Sequence, residues 1–394
     1  MFLLRFYSQK DFDLISSSFI NLKRYVLSEN YHGYDPFDAL TSPIFSIPVF
    51  QTTRLFKLIS QQLLKRLPIN IRPLLRIKKG CNPVTFGLAL QAINNIIITF
   101  PENNKQLLAE GNRLIDEIKV NCSKGYSGAC WGYDFEWQAR YASIPAYCPT
   151  IVATGFITNS LFNYHETTKN PIAFELCKSA TQFLLKDLNR TYEKDTFCFS
   201  YSPNDKQVVY NATLKGARLL SQVYSVTKEI NLLEEGDRTV RFVIKNQNDD
   251  GSWSYSRGDT RNWVDNFHTG FILDCLDEFI RKTNKNEYRV NLEKGVKYYI
   301  DNLFNENGVP KYYSNVQFPL DTTAAAQSIL TLLRFGFDSK ALLVALYMIK
   351  NMQHPSGYFY YKKNIYWKNK ISYMRWSNAI MYVALSALIR SMKK

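Results

Sequence analysis

Five times along this chain a polar turn leads to an aromatic anchor and then to an apolar helical stretch. The clearest copy is Asn246–Trp263, NQNDDGSWSYSRGDTRNW, which runs into VDNFHTGFILDCLDEFI. Weaker copies centre on Trp131, Phe199, Tyr312 and Phe359. With Trp253 they recur every 50 to 70 residues or so, roughly the room needed for two ordinary helices and their loops. Such a unit cannot bury its apolar face alone, so neighbours must cover one another. Counting the Tyr34–Asp38 loop as a sixth unit, the pattern predicts an all-α (α/α)6 toroid. This is a double ring of helical hairpins with short aromatic hairpins and loops on one rim. An open solenoid is the alternative, but it needs polar caps and the last stretch here, SNAIMYVALSALIRSM, is apolar.

Apolar spacing places helices at 84–99, 105–120, 151–164, 171–187, 231–246, 265–281, 292–304, 322–334 and 338–351, with another starting near Asn211. Near the start, Leu14, Ile15, Phe19, Leu22 and Val26 mark one more, and 43–67 reads as one or two helices broken near Pro48. Strand-like alternation is confined to pieces such as WSYS and YFYYKK. The expected organisation is a single toroid over 1–394, with 1–80 as a basic N-terminal helical segment.

Charge narrows the partners. The formal net charge is +15, and Arg54, Lys57, Lys65, Arg66, Arg72, Arg76, Lys78 and Lys79 fall between Gln51 and Gly80 with no acid among them. No helix-turn-helix, zinc-finger or RNP pattern accompanies these bases, which argues against nucleic acid. Leu55, Ile59, Leu63 and Leu67 recur every fourth residue among them, widened by Phe56 and Leu64. Peripheral membrane contact is one reading of 51–80; packing on a neighbouring helix is the other. No apolar run is long enough to span a bilayer, MFLLRFYSQKDFD is a poor secretory signal, and the seven scattered cysteines form no CxxC pair. A reducing cytoplasm, at the inner face of the membrane if the basic segment docks there, fits best. The oligomeric state is not readable.

Gln247 to Trp253 reads QxxxGxW, and Gln353 to Phe359 repeats it with phenylalanine. This resembles the repeat of the squalene–hopene cyclase and protein-prenyltransferase superfamily of α/α toroids, in which the glutamine joins helix ends and the aromatic ring stacks on the turn. The resemblance covers about residues 125–390. It does not carry function: the cyclases' Asp-x-Asp-Asp acid cluster is missing, and His268, Asp274 and Cys275 do not reproduce the prenyltransferase zinc set. WGYDFEWQAR, NRTYE with CFSYSP, RNWVDNFHTGF and SYMRWSNA look like an uncharacterised bacterial toroid family associated with surface-polysaccharide biosynthesis, which implies a glycan substrate. Related toroids include uronic-acid hydrolases, lyases and epimerases.

The candidate site follows from the repeat. Asp265 and His268 are three residues apart at a helix start, so they share a face, and a histidine beside a carboxylate exchanges protons near neutrality. Trp263 precedes them as a stacking surface. The structural alternative is an Asp265 or Asn266 cap with His268 packed between repeats. In the long irregular segment, Asp134 is a candidate acid or base, with Trp131, Trp137, Gln138 and Arg140 as binding groups; an internal Asp–Arg lock is the alternative. Asn211, Asp321, Arg375 and Trp376 sit at corresponding starts, though Asp321 also reads as a cap. Asp35 and Asp38 in YDPFD are weaker candidates.

Gathered on one rim, these residues predict a carbohydrate-active enzyme. It would act on an acidic or bacterial surface polysaccharide, or its lipid-linked precursor, by hydrolysis, elimination or epimerisation. The partner would be an oligosaccharide or lipid-linked glycan, with no cofactor and no metal. A terpene or prenyl cyclase-like enzyme would instead need a deep apolar cavity. A non-catalytic glycan-binding or scaffold protein would have no concave site between its acids.

Overall fold

A computed structural model describes residues 7–48 and 53–394. Residues 1–6 and 49–52, and with them part of the 43–67 helical expectation, lie outside the described residues. The helices, in chain order, are α1 (Gln9–Ser28), α2 (Arg54–Arg66), α3 (Pro83–Thr99), α4 (Asn104–Val120), α5 (Ile151–Thr168), α6 (Pro171–Asp187) and α7 (Tyr210–Thr227). There follow α8 (Ile230–Lys245), α9 (Asn266–Thr283), α10 (Arg289–Asn302), α11 (Thr322–Arg334), α12 (Asp338–Met352) and α13 (Ile380–Met392).

An inner ring is formed by α3, α5, α7, α9, α11 and α13. Each packs on the next, and α13 returns to α3. These helices are buried nearly all round; in α5, for example, Ile151–Gly155 and Ile157–Phe162 are buried without interruption. The outer helices keep a single apolar stripe, as in α8, which buries Leu232, Val240, Phe242 and Val243 and leaves its charges in water. The chain is thus an (α/α)6 toroid, as its period implied. The ring is closed by the first helix, because α1 is the outer partner of α13, with Phe19 stacked on Tyr382 at 4.9 Å. Ile15, Phe19, Leu22 and Val26 are buried there, whereas Leu14 is exposed.

The QxxxGxW unit is glue between hairpins. The Gln247 side-chain amide donates to the carbonyls of Gly251 and Asn291, each at 2.9 Å, and so ties its turn to α10. Gln353 does the same to Gly357 (2.9 Å) and to Ser18 of α1 (3.1 Å). Gly251 and Gly357 have φ of +93° and +98°, a region costly for a side chain. A Cβ on Gly357 would also lie 2.2 Å from the Asn21 carbonyl oxygen. The Trp253 indole is buried and donates to the Val243 carbonyl at 3.0 Å.

All six inner helices begin on the same rim. Asn82, Thr150, Asp265 and Asp321 cap α3, α5, α9 and α11 by accepting from backbone N–H groups of the first turn. Short antiparallel hairpins cover this rim, among them Trp137–Gln138 with Ser143–Ile144, and Lys362–Lys363 with Lys368–Asn369. Residues 29–48 and 53–82 also cross it. Within that crossing α2 is pinned by Lys57 to Glu136 (2.7 Å), by the Gln138 N–H to the Gln61 side-chain oxygen (3.0 Å) and by Arg54 to the Arg140 carbonyl (2.9 Å). No described helix is long and apolar enough to cross a membrane.

Candidate active site

Where the six inner helices begin, they surround a cavity of about 810 Å³, lined by first-turn residues such as Val84, Val152, Asn211, Phe267 and Thr323. That size falls in the range of small-ligand sites. At its wall Asp265 caps α9 through the His268 N–H (2.9 Å), and its other oxygen meets the His268 Nδ1 at 2.6 Å. The Trp263 indole N–H donates to that same oxygen at 3.2 Å. Asp265 is buried, His268 keeps part of its ring open, and both line the cavity. The capping and catalytic readings of Asp265 are therefore not alternatives: one oxygen caps, and the other fixes the imidazole with Nδ1 as donor and Nε2 as the face left for a ligand.

Aromatic rings set this pair in place. Tyr255 stacks on Trp263 with centroids 5.3 Å apart and meets the His268 ring edge-on at 4.5 Å. Burial pushes the Tyr255 phenol up to about 12, offset by the Arg261 charge. Phe267 and Trp376 meet edge-on at 5.9 Å. Trp376 donates to Asp321 at 3.4 Å, and Asp321 caps α11 while pairing with Lys362 at 3.2 Å. Three polar atoms of the wall, the Trp137 indole nitrogen, the Asn211 amide oxygen and the Tyr361 hydroxyl, are buried with no protein partner.

Cations outnumber acids in this wall. Among the described residues Asp265 is the one carboxylate lining it, against Lys65, Arg66, Arg261, Lys362 and Arg375. Arg261 is matched by Asp259 at 2.5 Å, and Arg375 by Asp35 through two bonds of 2.7 and 2.9 Å. Lys65 and Arg66 have no carboxylate partner among the described residues. Lys65 lies 4.1 Å above the Phe37 ring, and loss of hydration, helped by the Lys362 charge, brings its amine down to about 7.

The other expected site residues divide. Trp137, Asn211, Trp263, Arg375 and Trp376 line the cavity with Asp265 and His268, whereas Asp321 stands just behind it. Trp131 does not reach it: this indole is fully buried and donates to the Ile118 carbonyl at 2.7 Å, the same anchor that Trp253 makes. Gln138 is buried and satisfied by the carbonyls of Ala139 and Ala142. Arg140 is exposed and reaches Thr260 at 3.3 Å, and no ion pair joins it to Asp134. Asp134 instead lines a separate cavity of about 300 Å³ with Asp35, Asp38 and Gly80. Burial and the neighbouring Asp35 charge push its carboxyl up to about 6. Asp38 binds the buried Arg72 at 2.8 Å. Tyr255, Lys65 and Lys362 were not expected at the site; the WSYS alternation and the basic run were their only signals. Among the described residues no group of three or more histidines, cysteines or acids is placed to hold a metal.

No family model matches the chain, and no curated protein sequence matches it. Solved structures do. The GH76 α-mannanase of Bacteroides thetaiotaomicron superposes with a TM-score of 0.61 at 14% identity, covering 80% of this chain and 88% of that one. Cellobiose 2-epimerase from Bacillus thermoamylovorans gives 0.60 at 11% identity, covering 79% and 90%. An unsaturated glucuronyl hydrolase specific for heparin gives 0.58 at 14%, covering 80% and 87%. At these identities the likeness establishes the six-hairpin α/α toroid fold and leaves chemistry to the site.

Proposed function

We propose that this chain is a carbohydrate-active enzyme that transfers a proton on an acidic sugar of a surface polysaccharide or its lipid-linked precursor. The observation that carries this reading is the His268–Asp265 pair, fixed inside an aromatic cavity whose unmatched charges are Lys65 and Arg66. Asp265 holds Nδ1–H, so Nε2 is the base. It takes the proton from the carbon beside a sugar carboxylate. Lysine and arginine at that carboxylate offset the negative charge that develops as the proton leaves. In elimination the C–O bond to the neighbouring leaving group then breaks as the C=C bond forms, and the imidazolium passes its proton to the departing oxygen; epimerisation instead takes its new proton from a second acid on the opposite face.

Hydrolysis is less well supported, because it ordinarily needs two carboxylates about the scissile bond and Asp265 is the one carboxylate that lines this cavity among the described residues. Terpene chemistry is disfavoured by the same cations, which would repel a carbocation. A scaffold has no use for an imidazole held over an 810 Å³ cavity. The kinship of fold with a mannanase, sugar epimerases and glucuronyl hydrolases supports a glycan substrate.

A panel of acidic and neutral oligosaccharides incubated with the protein in deuterated water tests the reading. Turnover is expected either to an epimer carrying solvent deuterium at the inverted carbon or to an unsaturated product, and to be lost in the Asp265→Asn/His268→Ala double variant. Unchanged turnover in that variant, an epimer free of deuterium, or a saturated hydrolysis product overturns it.

A further inference from the structure

We propose that the mouth of the cavity docks on an anionic bilayer surface. Two separate elements frame that mouth, and both turn apolar side chains outward. On α2, Gln61 and Leu64 face the body of the protein, while Leu55 (64% exposed), Ile59, Leu63 (60%) and Leu67 stay in water. The helix therefore spends one face on the fold and presents a second, apolar one to solvent. The other element is the tip of the 362–369 hairpin, where Ile365, Tyr366 (94%) and Trp367 are exposed. The Asn369 side-chain amide donates to the Leu67 carbonyl at 2.9 Å, which makes the hairpin and the end of α2 one surface. Both also line the cavity, through Lys65 and Arg66 on one side and Asn364 and Trp367 on the other.

Chemistry chooses the occupant. Single exposed leucines are ordinary, but a row of them continuous with an exposed tyrosine and tryptophan is not. Arg66 of α2 and Lys363, Lys368 and Lys370 of the hairpin and its end accompany this collar and meet no carboxylate among the described residues, and no acid occurs between positions 51 and 80. An apolar stripe among unpaired bases, with indole and phenol at its edge, matches the interface between acyl chains and anionic headgroups. A second copy of the chain would bring like charges together instead. Docked this way, the cavity opens onto the bilayer surface, so a glycan on a lipid carrier reaches His268 without leaving it.

Cosedimentation of the full chain with vesicles tests the docking independently of any activity. Binding to mixed phosphatidylcholine–phosphatidylglycerol vesicles is expected, at least about tenfold tighter than to phosphatidylcholine alone and weakened by salt. Leu55→Ser/Leu63→Ser/Tyr366→Ser, at exposed positions outside the cavity wall, lowers that binding about tenfold or more with Tm unchanged. Should the triple variant lose stability, Tyr366→Ser alone still weakens binding. Three results overturn the inference: no binding to either vesicle, binding that the triple variant retains, or a concentration-dependent dimer that the triple variant dissolves.

Discussion

Two cavities lie on either side of Arg375, and they use carboxylates in opposite ways. In the larger one Asp265 receives three donors, one of them the imidazole of His268, which itself lines the cavity. In the smaller one Asp35 and Asp38 are matched by the guanidinium groups of Arg375 and Arg72, and by N–H groups of their own loop. The two guanidinium matches join parts of the chain 34 and 340 residues apart. An acid neutralised by a permanent cation holds the fold together. An acid that holds an imidazole at the edge of a cavity is the arrangement on which the proposed proton transfer rests.

That contrast can be broken in order of effect. His268→Ala should cut turnover about 10²- to 10⁴-fold, as for loss of a general base, with the thermal midpoint unchanged. A matching loss of stability would return His268 to the packing role. Asp35→Ala strands the buried Arg375 charge and should cost about 3–5 kcal/mol in denaturant unfolding; a much smaller cost would mean that the pair is not holding the two ends of the chain. Gly80→Ala puts a Cβ 2.0 Å from an Asp134 oxygen and should cost about 1–3 kcal/mol, most of it recovered when Asp134→Ala is added.

The smallest effect is a pH slope. Because the Asp134 carboxyl is raised to about 6, the folded state holds this proton more tightly than the unfolded chain does. Stability is fully present below the ordinary carboxylate range and falls as pH rises from there through about 6, by up to about 1.4 kcal/mol per unit. Asp134→Asn should flatten that stretch of the stability profile. If it abolished turnover instead, the smaller cavity would share in the chemistry.

The ring was legible because its signals are local and periodic. Gln247, Gly251 and Trp253 sit within one turn, and the apolar spacing of α3 to α13 follows from burial on one face or on both. Asp265 and His268 were legible for the same reason, being one helical turn apart. What failed was the assignment of Trp131, where an aromatic in an irregular loop reads as a wall of a site or as an anchor, and its bond to the Ile118 carbonyl decides for the anchor. Asp134 and Gln138 failed similarly, since spacing gives no direction to a loop side chain. Lys65, Lys362 and the Asp35–Arg375 pair were beyond reach, for they depend on how residues 29–48 and 53–82 cross the rim and on a hairpin from the last repeat. Neither contact has a sequence period.

The closure of the ring through α1 also has a consequence in time. When α1 leaves the ribosome, the apolar face of Ile15, Phe19, Leu22 and Val26 has no partner, because α13 is the last described helix to be made. Asp35 likewise awaits Arg375. This helix must therefore stay exposed, or be shielded by a chaperone, until α13 has been made. Until the final hairpin emerges the chain is an arc with two open ends, and the cavity has no complete wall.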